Sequence, residues 1–429
     1  MPHRPWILGC IDCERRYAAE EVRYRCECGA TLEVRHDWTT RRALLDLGPS
    51  VFDQRRLSRE AIDRSGVWRF RELVLPLAGS EVITKPEGNT NLYCSDRLAA
   101  YTGSAGLSLK HEGENPTGSF KDRGMTVAIS VACALGFARV ACASTGNTSA
   151  SMAAYAAQAG IEAYVFIPEG KIAYGKLAQS LAYGARTIQI EGDFDLAMKL
   201  VEEVCRADSI YLVNSLNPYR IEGQKAIGLE LLQDLGWRLP DWIVLPGGNL
   251  GNSSALLKGL FELREIGWLD RLPRVAVIQA AGANPLYTAF HNRTTLQPLA
   301  QAETLATAIK IGNPVSWKKS LRGLLATHGL VEQVSDQEIL DAKAQVDAAG
   351  IGAEPASCAT VAGVRKLIAS GTIRPDERVC GILTGHLLKD PDLTIAYHQS
   401  TALGVTSNFA NPPVRAEASL AGVRRWLRR

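Results

Sequence analysis

Lys121 lies in the run Glu112-Gly113-Glu114-Asn115-Pro116-Thr117-Gly118-Ser119-Phe120-Lys121-Asp122-Arg123-Gly124, where a Pro–Gly loop delivers an amine to the start of a helix. The positive end of a helix dipole lowers an amine's pKa. A lysine so depressed can form a Schiff base with an aldehyde. A second run, Ala143-Ser144-Thr145-Gly146-Asn147-Thr148-Ser149, leads from a strand into a helix of small residues. Successive amide N–H groups with hydroxyls at a helix N-terminus suit an anion such as a carboxylate. A third, Leu245-Pro246-Gly247-Gly248-Asn249-Leu250-Gly251-Asn252-Ser253, has glycine-rich backbone that can wrap a phosphate with no Cβ in the way. It is neither the Gly-x-Gly-x-x-Gly dinucleotide signature nor the nucleotide loop that ends in Lys-Ser/Thr. Taken singly, each run has a plainer reading: a solvated turn lysine, an Asn147 that caps a helix, a glycine turn.

Four of the ten cysteines fall within the first 28 residues, as Cys10-x2-Cys13-x12-Cys26-x1-Cys28. The spacing reads as a four-cysteine zinc ribbon with a shortened second knuckle. Structural zinc takes four thiolates tetrahedrally, and this segment has too few apolar residues to fold alone. Four thiolates leave no open position, so such a zinc is structural. The single spacer leaves free thiols in an ordered cap as the alternative. Cys94, Cys133, Cys142, Cys205, Cys358 and Cys380 stand singly in apolar segments and are expected to be small buried hydrophobes.

The elements that must position these residues alternate along the chain. Strands are expected at Gly106–Lys110, Ala138–Ala143, Ala163–Ile167, Arg186–Ile190, Ile210–Asn214, Trp242–Leu245, Val275–Gln279 and Arg378–Leu383. Helical patterns lie between them, at Lys121–Leu135, Thr148–Ala159, Leu196–Arg206, Gly223–Leu235 and Ser253–Ile266. Apolar strands separated by such helices predict an α/β fold, with parallel sheets covered on both faces. Arg41–Arg71 reads as a charged helical connector, and the basic tail from Asn411 suggests no function. In open α/β sheets ligands sit at the carboxyl ends of strands, which is where all three runs fall.

Composition excludes several classes. Of 429 residues 46% are hydrophobic and 22% charged, ordinary for a protein with a real core. A net charge of +3 is too small to imply nucleic acid or a membrane surface as partner. Between Cys10 and Cys28 the ribbon carries four arginines against five acids, the wrong sign for a phosphate backbone. The longest uncharged run, Val140 to Ile161, is too rich in Ser, Thr and Asn to span a bilayer. With no apolar or basic amphipathic leader, the expected location is the cytoplasm.

Together and in this order, the runs closely resemble the fold type II pyridoxal-phosphate enzymes (tryptophan synthase β-like), and within them the threonine synthase family. The matching features are Glu87-Gly88-Asn89-Thr90, Asn115–Gly124, Ser144–Thr148, Asn217-Pro218-Tyr219-Arg220, Pro246–Asn252, Ile311–Trp317, Glu354-Pro355-Ala356-Ser357 and Leu383-Thr384-Gly385-His386. Ile311–Trp317 and Thr384–Asp390 favour threonine synthase over the broader superfamily. The resemblance runs from about residue 65 to 400, and many of these relatives also carry an amino-terminal ribbon, usually with two residues between the second pair of cysteines. It implies two parallel-sheet subdomains with helices on both faces, plus the ribbon. The expected division is 1–36 for the ribbon, 37–113 for a connector and the start of the large subdomain, 114–212 for the small subdomain and 213–429 for the large one.

The resemblance also implies roles. Lys121 would hold pyridoxal 5'-phosphate and then act as acid and base. Asn147 would bond the cofactor's 3-hydroxyl, and Gly248, Asn249, Leu250, Gly251 and Asn252 would cradle its phosphate. Thr384 would meet the pyridine nitrogen, a neutral partner that leaves the ring a weaker electron sink than a carboxylate does. Ser144, Thr145, Gly146 and Thr148 would bind the substrate's α-carboxylate. Asn214, Ser215 and Arg220 would bind a second phosphate, since a guanidinium fork suits that geometry. The implied reaction turns O-phospho-L-homoserine and water into L-threonine and phosphate, in a homodimer. Two alternatives stay open within the fold: a threonine or serine dehydratase, and a phosphoserine-using enzyme such as cysteate synthase. From another class, the ribbon could mark a binding module on a dead catalytic fold, although Lys121 is retained.

Overall fold

A computed structural model describes residues 4–38, 48–169, 174–191, 194–402 and 404–427. Three sheets organise the chain. The amino-terminal one is antiparallel and ordered β2-β1-β3, from β1 (Trp6–Cys10), β2 (Arg16–Ala18) and β3 (Leu32–His36). β4 (Leu92–Tyr93) and β5 (Gly106–His111) open the second sheet. A third follows from β6 (Arg139–Ala143), β7 (Glu162–Pro168), β8 (Arg186–Ile190) and β9 (Tyr211–Leu212). The chain then returns to the second sheet through β10 (Trp242–Pro246), β11 (Arg274–Ala280), β12 (Leu330–Val334) and β13 (Arg378–Leu383).

The large sheet has the order β12-β11-β10-β13-β5-β4 and is parallel except for the β4 edge. The smaller one, β8-β7-β6-β9, is wholly parallel. All five residues of β10 are buried, as expected for a central strand covered on both faces. The strand expected over Ile210–Asn214 is only two residues long. Beyond it the side chain of Asn214 takes over the pairing: its Oδ1 accepts from the Ala143 amide at 2.9 Å and its Nδ2 donates to the Ala143 carbonyl at 3.1 Å. β4 and β12 were not foreseen. One is very short, and the other is an edge strand whose Glu332 and Gln333 interrupt the apolar pattern.

Residues 41–47 of the expected connector lie outside the described residues; the rest includes the helices Ser50–Arg56 and Arg71–Val74. Of the single cysteines, Cys142, Cys205, Cys358 and Cys380 are buried as expected, whereas Cys94 is exposed and Cys133 half-buried.

The helix Lys121–Ala134 is almost wholly buried, and its first turns cross the short helix Tyr219–Gln224. A Cβ on Gly124 would lie 2.8 Å from the Arg220 carbonyl, and one on Gly223 would lie 1.8 Å from that of Arg123. Only glycine at both positions lets the two backbones approach so closely.

One turn on from Lys121's loop, Arg123 anchors this helix inside a buried ion cluster. Its guanidinium donates to Glu112 at 2.7 Å and to Glu230 at 2.9 Å. Glu230 also receives Lys110 at 2.7 Å, Arg69 at 3.2 Å and the amides of Asn89 and Thr90. Burial raises a carboxylate's pKa, yet Arg123 and Lys110 outweigh it and hold Glu230 well below the usual range. Its stabilisation is therefore complete at neutral pH and is lost as the pH falls through the acid range. Glu230→Gln leaves three buried cations short of counter-charge and is expected to cost about 3–5 kcal/mol. Denaturant titration checks this, and a loss below about 1 kcal/mol would show that the cluster does not hold the helix.

Candidate active site

Five of the strand ends converge. The loops after β5, β6, β9, β10 and β13 wall one cavity of 940 Å³ between the two parallel sheets. Lys121, Ser144 to Thr148, Asn214, Ser215, Arg220, Gly248 to Asn252 and Thr384 all line it. The three runs read separately from the sequence thus meet in space.

Lys121 is the first residue of its helix and is half-buried, with Nζ 4.0 Å from the centre of the Phe120 ring. Burial, with the charge of Arg220 adding to it, pulls its pKa down to about 7, and Glu354 opposes the shift. Among the described residues Lys121 forms no ion pair, so its amine is available in the neutral, nucleophilic form. Arg220 is buried with no carboxylate partner among the described residues; burial lowers it to about 10, so it stays charged. Its Nη1 donates to the Val213 carbonyl at 3.0 Å and its Nη2 reaches Thr148 Oγ1 at 3.5 Å, while Nε meets no acceptor. A buried cation so oriented calls for an anion.

The loop after β10 is an anion cradle. Leu250 takes a left-handed φ of 61° as N-cap of the helix Gly251–Glu265. Among the described residues the amides of Gly248 to Asn252 meet no protein acceptor. A Cβ on Gly248 would crowd the Ile309 backbone at 3.1 Å. The Asn252 side chain is buried with both polar atoms unpartnered. Asn249 ties the loop to its neighbours, donating to Ser215 Oγ at 3.0 Å and accepting from the Val315 amide at 2.7 Å. The second contact explains why the Ile311–Trp317 stretch belongs to the site.

Gly146, not Asn147, is the N-cap residue of the helix Asn147–Ala159. The Asn147 side chain instead donates to Glu354 at 3.2 Å. Glu354 is buried beside Thr384, whose hydroxyl lies 3.3 Å from it and 2.9 Å from Ser357 Oγ. Burial raises the Glu354 carboxyl's pKa against the hydrogen bonds from Asn147 and Thr384. Lys389 also lines the cavity and donates to Gln179, which lines it too. Glu354 and Lys389 received no role from the sequence. Their signal was position alone, an acid before the helix-opening Pro355 and a lysine in the loop after an apolar strand.

A family profile described as "Pyridoxal-phosphate dependent enzyme" matches residues 83–385. The chain belongs to the pyridoxal-phosphate dependent enzyme family. Among its relatives, a threonine synthase of Methanocaldococcus jannaschii is 45% identical over 388 residues, 90% of this chain and 93% of that protein. One of Methanosarcina acetivorans is 47% identical over 393 residues, with the same coverage. Among solved structures, maize serine racemase superposes with a TM-score of 0.65 at 20% identity, covering 79% of this chain and 97% of that one. That likeness carries the fold, the type II fold of the family.

The cavity fits the family's cofactor on its own terms. An amine depressed to about 7 suits an aldehyde, and the unpartnered amides at 248–252 with the orphaned Asn252 side chain suit its phosphate. The four amino-terminal sulfurs lie within 4.8 Å of one another, apart from the cavity. Cys10–Cys28 and Cys13–Cys26 are each 3.5 Å apart. Tetrahedral zinc, with Zn–S near 2.3 Å, places sulfurs about 3.8 Å apart. The amides of Asp12 and Cys13 point at Cys10 Sγ at 3.4 Å, as amides do toward a metal-bound thiolate.

The depressed lysine has a direct test. In cofactor-free protein, an amine reagent should modify Lys121 at a rate that rises through a midpoint near pH 7, and Lys121→Ala should remove that phase. A midpoint near 10 would mean that the amine stays protonated in the cavity.

Proposed function

We propose that the chain converts O-phospho-L-homoserine and water to L-threonine and phosphate. The observation that carries this is Arg220, a buried guanidinium that has no carboxylate partner among the described residues and lines the same cavity as Lys121. A site acting on an unphosphorylated amino acid has no use for a second phosphate cradle. The threonine synthase relatives, at 45–47% identity over nine-tenths of the chain, support the same reading over a dehydratase.

Bound pyridoxal phosphate supplies an electron sink that stabilises negative charge at the substrate's Cα. Lys121 would hold it and, once displaced by substrate, take and return protons at Cα and Cβ, for which an amine near pKa 7 is well matched. The amides of residues 248–252 would take the cofactor's phosphate. Thr384, held by Ser357 and Glu354, would offer its hydroxyl to the pyridine nitrogen. Asn147, beside Glu354, would serve the 3-hydroxyl. Ser144, Thr145, Gly146 and Thr148 would hold the α-carboxylate. Arg220, with Asn214 and Ser215, would bind the γ-phosphate and offset the charge that grows as it leaves. Zinc on Cys10, Cys13, Cys26 and Cys28 would be structural.

The same reading makes the protein a cytoplasmic homodimer with a small-molecule substrate and no nucleic-acid or membrane partner. It divides the chain at 36, 113 and 212. No helix among the described residues is long and apolar enough to cross a membrane.

Arg220→Ala is expected to lower kcat/KM on O-phospho-L-homoserine about tenfold to a hundredfold, the worth of a charge-assisted contact. Slow turnover of serine or threonine should hardly change, and Arg220→Lys should recover only part. Equal losses on both substrate types, with keto acid as the main product, would return the dehydratase reading. For the ribbon, elemental analysis should find about one zinc per chain, and Cys13→Ser should lose it and lower stability. Metal-free protein of full stability would show that the thiols hold nothing.

A further inference from the structure

The residues assigned above to the substrate's phosphate, Asn214, Ser215 and Arg220, sit in one short segment. The ribbon grips that segment at three points. On its amino-terminal side the Leu212 amide donates to the Tyr24 hydroxyl at 2.8 Å, and Tyr24 packs edge-on against Tyr211 with ring centres 5.9 Å apart. On the other side Tyr219 donates its hydroxyl to the Ala19 carbonyl at 2.7 Å. One turn later, buried Glu222 accepts from His36 Nε2 at 2.8 Å. Burial, with Lys225 nearby, takes His36 down to about 4, so at neutral pH it is an uncharged donor.

The helix Tyr219–Gln224 therefore has two working faces. Residues 219 and 222, three apart, point to the ribbon, while 220 and 224, four apart, face the cavity. The far side of the ribbon is fixed to the large subdomain, where Lys319 donates to the Leu32 carbonyl at 2.7 Å and Arg322 pairs with Asp12 at 2.9 Å. Arg220 takes its own orientation from the Val213 carbonyl, one residue beyond the amide that Tyr24 holds.

We propose that the ribbon is the positioning element of the substrate-phosphate cradle, setting Arg220 through Tyr24, the Ala19 carbonyl and His36. This rests on the cradle reading above. Its zinc touches no substrate; the ordered loop that the zinc sustains sets how tightly phosphate is held.

The test uses the full-length holoenzyme with Tyr24→Phe, His36→Ala and His36→Gln, and Arg220→Ala as reference. Four quantities are measured: the cofactor absorption band, kcat and KM on O-phospho-L-homoserine, the inhibition constant of inorganic phosphate, and slow turnover of L-serine. Tyr24→Phe removes a single oxygen and keeps the ring, so folding is preserved. It should raise KM and the phosphate inhibition constant about three- to tenfold, the worth of one hydrogen bond. His36→Ala should do the same, and His36→Gln, which keeps a side-chain N–H donor, should recover part. The absorption band and serine turnover should stay within about twofold. Unchanged phosphate affinity in the ribbon variants, beside a clear loss in Arg220→Ala, would overturn this proposal alone. Unchanged phosphate affinity in Arg220→Ala would overturn the cradle reading and this proposal with it. A uniform loss across serine turnover and cofactor band would reduce the ribbon to a support of the whole fold.

Discussion

Two basic side chains set in one cavity, with no carboxylate partner among the described residues, are the constraint around which the molecule is arranged. A buried cation that lacks an anion costs several kcal/mol, and there are two ways out of that cost. Lys121 takes the first and sheds its proton, since burial brings its pKa to about 7. Arg220 cannot, because a guanidinium lowered to about 10 is still charged at neutral pH. It stays a buried cation whose Nε meets no acceptor. The scaffold beside it behaves oppositely: Arg123, Lys110 and Arg69 pair with Glu112, Glu230 and Asp234. Paired charges hold the frame, and the unpaired ones face the cavity.

Which parts of this were legible in the sequence follows from how local each feature is. The loops at Asn115–Gly124, Ser144–Thr148 and Pro246–Asn252 are short backbone motifs at strand ends, and their composition announces an anion or an amine wherever they fall in space. The contact between Asn147 and Glu354 joins residues 207 apart in the chain, and no periodicity can reveal it. Lys389 reaches Gln179 across 210 residues, with the same consequence. Asn147 looked like a helix cap because asparagine often is one, whereas here the carboxyl of Glu354 claims its amide.

Strand boundaries failed for a related reason. Ile210–Asn214 has the composition of a strand, but the Asn214 side chain imitates the backbone ladder and ends it early. β12 pairs along only one edge, so Glu332 and Gln333 are tolerated and the apolar signal is diluted. The cysteines divided correctly into a cluster and singles, while the exposure of Cys94 depends on an edge that composition does not mark.

The crossing of Gly124 over Gly223 sets the gauge of the cavity. Because the helices carrying Lys121 and Arg220 touch main chain to main chain, the spacing of the backbone positions that bear the two side chains is set at the crossing, like the fixed jaw opening of a caliper. Side chains lining the walls can vary without altering that spacing. A β-carbon inserted at the crossing would instead force the two helices apart, and with them the backbone positions that carry Lys121 and Arg220. Diversification on this frame is thus free in chemistry and tightly held in spacing.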